Sequence, residues 1–155
     1  LDLTSLYPHI QMQFNISQGL VGTRPPVVKP DPKVLQFLGE DGMRKLISDH
    51  YDLLRVSNIK GLFPPTDEGF EMAKQHSADF FIQICGGPDY FNKNRGAPMM
   101  VGRHADFKIT PEARKIWLES YIIVLSKLDM PDDLKQSFWN YLDVFSIWMI
   151  NTAQN

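Results

Sequence analysis

Four stretches of this chain repeat side chains at helical spacing, and proline or glycine stands between them. The first runs through Leu46, Ile47, Tyr51 and Leu54; the second through Phe70, Ala73, Ser77, Phe80, Phe81 and Ile84. The third is Ala113, Trp117, Tyr121, Val124 and Leu128; the fourth is Phe138, Tyr141, Leu142, Phe145, Trp148 and Met149. Residues three and four apart share one face of an α-helix, so each stretch predicts a helix with a buried face. The breaks carry their own chemistry. "LFPPT" offers Thr66 as an N-cap, "CGGP" supplies glycines for a helix end, and "ITPEA" offers Thr110 as a cap with Pro111 in the first turn. "DMPDD" opens the fourth helix in a similar way. No strand alternation runs beyond a few residues. The expected fold class is all-α.

A chain of 155 residues, 43% apolar and 12% aromatic, can build one ordinary core. Residues 1–33 read as an N-terminal extension ending in the proline-rich arm "RPPVVKPDP", and residues 34–155 as the helical domain. Prolines fix φ and bias their predecessors away from helix, so the arm is expected to be extended. The extension could pack on the domain, mediate dimerisation or be disordered, which leaves monomer and homodimer both open. A net charge of −2 gives no electrostatic footprint for nucleic acid and none for an anionic membrane surface. No apolar run reaches the roughly 20 residues that span a bilayer. The start shows no secretory leader, being interrupted by Asp2, Thr4, Ser5 and His9. The single cysteine, Cys85, rules out an internal disulfide and suits a reducing, cytoplasmic setting.

Residues 88–109 form the expected exception, a loop of some twenty residues between two strong helices; loops of that length tend to be functional. "GRHADF" lies within it and carries His104. A lone loop histidine is ordinarily solvated, and aromatic stripes are ordinarily plain core. The helix faces nonetheless mix flat rings with polar tips: Tyr51, Ser77 and Trp117 fall in line with Phe63, Phe80 and Phe81. A flat apolar cofactor with a polar centre asks for such a face. Other sites find no support. His9, His50 and His76 repeat no metal-ligand spacing, and no HExxH, paired cysteines, P-loop or Gly-x-Ser-x-Gly occurs. Cys85, ahead of "GGP", reads as helix-end packing.

Taken together, "FFIQICGGPDYF" and "GAPMMVGRHADFKITPEARKIWL" resemble the truncated haemoglobins of the second group. An aromatic-rich helix ends in Gly86-Gly87-Pro88, Arg103-His104-Ala105-Asp106-Phe107 follows, and Trp117-Leu118 comes thirteen residues after the histidine. Upstream, "LGEDGMRKLISDHYDLL" resembles the first two helices of that family, with a tyrosine at Tyr51, and "LFP" resembles the segment that lays an aromatic, here Phe63, on the cofactor. The resemblance covers about residues 35–152.

The resemblance implies a globin-like fold of two helices over two around haem b, with His104 as the proximal iron ligand. It implies Tyr51 and Trp117 as distal donors to dioxygen, Phe63 stacked on the porphyrin, and Phe80, Phe81 and Phe107 as pocket walls. Ala73 stands where longer globins carry a distal histidine, and Ser77, one turn on, adds a hydroxyl. Arg103 is the best match for a propionate partner, with His76 as a weaker one. Two departures stand out: Val101 replaces a family arginine, and Asp106 replaces a common proline.

Three functions compete. The first is a haem protein that binds dioxygen and related ligands, such as nitric oxide or carbon monoxide. The second is a haem enzyme for nitric oxide dioxygenation or peroxide reduction; it needs a separate reductase, since the chain shows no flavin or nicotinamide domain. The third is a haem-free module acting through protein contacts.

Overall fold

The computed structural model describes residues 12–153. Six α-helices occur among them: α1 (Lys33–Arg55), α2 (Asp67–Ile84), α3 (Tyr90–Arg95), α4 (Met100–His104), α5 (Pro111–Ser126) and α6 (Asp132–Met149). A 3-10 turn at Lys60–Leu62 links α1 to α2, and no strand is present among the described residues. The four stripes of the sequence fall on α1, α2, α5 and α6. The long loop expected at 88–109 is instead broken by α3 and α4. Helices of six and five residues are too short to display a period, which is why the sequence hid them.

Helix ends follow the local chemistry. Thr66 Oγ1 accepts from the Gly69 amide at 3.1 Å, and Thr110 Oγ1 accepts from the Ala113 amide at 3.0 Å. Each satisfies an N–H that the first turn leaves without a partner. α6 differs from expectation: Pro131 sits at its cap position and no side chain caps it, while Asp132 and Asp133 complement the dipole. α1 bends at Gly39, whose φ of 71° only glycine takes at no steric cost.

α1 packs on α2, α5 packs on α6, and α1 crosses to both α5 and α6, giving two helices over two. The core between them holds Leu46, Ile47, Phe81, Ile82, Leu118, Tyr121, Leu125, Phe138 and Leu142, all buried. Residues 12–32 form no helix and lie against α6. Met12 and Phe14 join the core, Phe14 edge-on to Trp139 at 5.1 Å. Trp139 Nε1 donates to Asn15 O at 2.9 Å and Trp148 Nε1 to Pro25 O at 2.7 Å. The rest of the expected extension, with His9 and the start expected to carry no secretory leader, lies outside the described residues. Among the described residues no helix is long and apolar enough to cross a membrane.

Candidate functional site: an apolar cavity with one aimed histidine

A cavity of about 550 Å³ opens where α1, α2, α4, α5 and α6 converge. The structure brings every candidate site residue to its wall: Tyr51, Phe63, Ala73, His76, Ser77, Phe80, Phe81, Arg103, His104, Phe107 and Trp117. Ile59, Leu62, Met72, Phe91, Met100, Ile109, Phe145 and Met149 complete an apolar lining.

His104 is the last residue of α4, and its Nδ1 lies 2.7 Å from the Met100 carbonyl one turn earlier. A carbonyl only accepts, so Nδ1 carries the proton and Nε2 keeps the lone pair. The turn after it is pinned from the far end of the chain. Asn151 Nδ2 donates to His104 O at 3.2 Å and to Phe107 O at 2.7 Å, and its Oδ1 accepts from the Ile109 amide at 2.9 Å. The imidazole is thus held at both its ring and its backbone. Asn151 stands outside every motif, so nothing in the sequence pattern pointed to it.

Tyr51 projects from α1 among Phe63, at 5.5 Å, and Phe70, at 5.7 Å. Burial pushes its phenol above the ordinary range, and a hydrogen bond with Ser77 works against that shift. Trp117 faces the cavity from α5. The other two tryptophans give their indole N–H groups to carbonyls of the 12–32 segment. Among the described residues, Trp117 Nε1 makes no such bond. Trp117 itself is half-buried at the cavity wall.

One rim of the cavity is cationic. Arg95 Nη1 lies 3.1 Å from His76 Nδ1, and Arg103 follows from α4. Burial, then Arg95, then Arg103 hold the His76 pKa below its ordinary value. Arg103 is anchored: Nε donates to Pro98 O at 2.6 Å, and Nη2 to Arg95 O at 2.8 Å and Ala97 O at 3.0 Å. Arg95 was missed in the sequence because it belongs to no motif; its place depends on α3, which the sequence did not show. Cys85 plays no part: it caps α2, buried, with its thiol pushed up to about 12.

These features fit haem. The walls are apolar, one imidazole presents a lone pair, and cations stand at the rim where carboxylates would emerge. The comparisons agree. Residues 36–151 match the family described as bacterial-like globin. Group 2 truncated hemoglobin YjbI of Bacillus subtilis is 25% identical over 122 residues, 77% of this chain and 89% of that protein. Two-on-two hemoglobin-3 of Arabidopsis thaliana is 41% identical over 49 residues; the match covers 32% of this chain and only 28% of the plant protein's length. Among solved structures, phosphate-bound Hell's gate globin IV superposes with a TM-score of 0.81 at 36% identity, covering 91% of this chain and 89% of that one. The chain belongs to the bacterial-like globin family, and its fold is that of the group II truncated haemoglobins.

Proposed function

We propose that the chain is a haem b globin that binds dioxygen, with His104 as the protein ligand to iron and Tyr51 and Trp117 as hydrogen-bond donors to the gas. The carrying observation is the His104 imidazole, whose Nδ1–H is fixed on Met100 O at 2.7 Å within the apolar cavity. That bond leaves Nε2 as the coordinating nitrogen and raises its basicity. When bound, the cofactor supplies a ferrous iron with one position open to diatomic gases.

The protein's own groups then divide the remaining work. A Ser77 hydroxyl that donates to Tyr51 leaves the phenol O–H free to donate into the cavity. Trp117 Nε1 is the second donor. Phe63, Phe80 and Phe81 line the ligand side with apolar rings, so donors act at low dielectric. Arg95 and Arg103 offer cations to the propionates, and His76, whose Nδ1 accepts from Arg95, stands beside them as a neutral ring. A reducing, cytoplasmic setting fits the buried free thiol of Cys85.

Titration of the apoprotein with haem, followed by the Soret band, tests the ligand. One equivalent should produce the band, and His104→Ala should lose it. Hydrogen bonds to a charged acceptor contribute about 1.5–3 kcal/mol. Tyr51→Phe and Trp117→Phe should therefore each raise the dioxygen off-rate about tenfold or more. Unchanged rates in both would remove the donor assignment. Rapid consumption of nitric oxide by the oxygenated protein, sustained by an added reductase, would shift the reading to nitric oxide dioxygenation.

A further inference from the structure

His50 precedes Tyr51 on α1 and is completely buried, yet it stands outside the cavity wall. Its Nε2 lies 2.9 Å from the main-chain carbonyl of Trp117 on α5. The carbonyl accepts, so Nε2 carries the proton and donates. The other nitrogen, Nδ1, is buried with no partner among the described residues. The ring meets both proposed donors edge-on, Trp117 at 5.4 Å and Tyr51 at 6.2 Å. Its face stacks on Tyr121 at 3.4 Å with an interplanar angle of 18°. The Tyr121 hydroxyl is likewise buried without a partner.

Two buried polar atoms left unsatisfied each carry a desolvation cost. An apolar ring in place of His50 would fill the same space without the cost at Nδ1. What an apolar ring cannot provide is the N–H to Trp117 O. That bond joins the turn of α1 bearing Tyr51 to the turn of α5 bearing Trp117. We propose that His50 is a positioning residue: its Nε2–H holds the Trp117 carbonyl and thereby fixes how the Trp117 indole and the Tyr51 hydroxyl stand relative to each other in the cavity. The proposal rests on the reading of Tyr51 and Trp117 as donors.

Two substitutions separate the bond from the ring. His50→Phe keeps an aromatic plane and deletes the donor; His50→Gln deletes the plane and keeps an N–H at the position of Nε2. In the haem-loaded protein, His50→Phe should raise the dioxygen off-rate about fivefold, the equivalent of one ordinary hydrogen bond. It should also move the C–O stretch of the carbon monoxide complex upward, toward the value in Trp117→Phe. His50→Gln should leave both near the parent values. Added to Trp117→Phe, His50→Phe should bring no further change. The reverse pattern, with His50→Gln altered and His50→Phe like the parent, assigns the effect to ring packing and overturns the proposal. So does a parental off-rate and stretch in both variants while Trp117→Phe is altered. If Trp117→Phe and Tyr51→Phe are themselves silent, the donor reading has failed instead, and the double variant shows it. Nitrogen NMR of the unsubstituted protein needs no variant: it should find His50 protonated at Nε2 and bare at Nδ1, and the opposite tautomer overturns the proposal even if neither variant folds.

Discussion

His50 also ties stability to pH. Burial lowers its pKa to about 3, and the bond to Trp117 O only partly opposes that. In the unfolded chain it titrates near the ordinary histidine value of 6.5. Above that value both states are neutral and the folded state keeps its full advantage. As pH falls from 6.5 toward 3, the unfolded chain takes up a proton that the folded chain refuses, so stability is lost over this window. The loss approaches about 1.4 kcal/mol per pH unit. Urea unfolding at pH 7.5 and 5.5 should therefore show a drop of about 1.4 kcal/mol that His50→Gln removes. A drop that persists in His50→Gln would place the titration elsewhere. The sequence could not show this role, because the partner is a main-chain carbonyl 67 residues away and no side-chain motif encodes it. His104 was legible for the opposite reason. Its arginine, its phenylalanine and the tryptophan thirteen residues on form a pattern within one short stretch of chain. The Met100 carbonyl that orients it had no such mark.

At the scale of elements, the junction of α2 with α1 turns on one missing methyl group. The Gly87 amide donates to Ile82 O at 2.9 Å, closing the last turn of α2 after Gly86 takes φ 93°. A Cβ on Gly87 would stand 2.6 Å from Leu35 Cδ2 and 2.8 Å from Ile82 O. Leu35 can give way; the backbone oxygen cannot without opening the turn. Gly87→Ala should cost about 1–3 kcal/mol, as overpacking does, and a thermal melt of the variant beside Gly86→Asn would check it. A melt at parental temperature for Gly87→Ala would mean that the turn relaxes freely. The "GGP" punctuation announced a helix end, and the reason for its second glycine appears only once Leu35 is in place. The same division runs through the helices. α1, α2, α5 and α6 were legible because each is long enough to repeat a period over several turns. α3 and α4 were not, and with them went Arg95 and the helical setting of His104. Sequence spacing could bring the aromatic and histidine wall together, but the cationic rim depends on two helices without a period.

Across the whole molecule, one buried guanidinium links the cavity to the chain's beginning. Arg114 on α5 lines the cavity and is almost fully buried. Its Nη2 donates to Asp143 Oδ1 at 2.6 Å, its Nε to Ser146 Oγ at 2.9 Å and its Nη1 to Ser17 O at 2.7 Å. Asp143 in turn accepts from the Ser17 amide at 2.9 Å and the Ser17 hydroxyl at 2.6 Å. α5, α6 and the 12–32 segment therefore meet on a single ion pair. Burial lowers the Arg114 pKa, and the Asp143 carboxylate opposes that. Removing the carboxylate leaves a buried charge without compensation, a change that costs about 3–5 kcal/mol. It also cuts both bonds that Asp143 makes to Ser17. Asp143→Ala should thus lower the urea midpoint sharply and speed protease cleavage within residues 12–32 more than elsewhere. Replacing the pair together, as Arg114→Met with Asp143→Leu, removes the stranded charge and should recover much of the stability. It should not restore protection of the segment, since Ser17 still lacks its partners. Recovery of both would show that the apolar contacts of Met12 and Phe14 hold the segment unaided. Recovery of neither would show that the cavity wall needs the guanidinium itself, a result that haem affinity of the double variant would register independently.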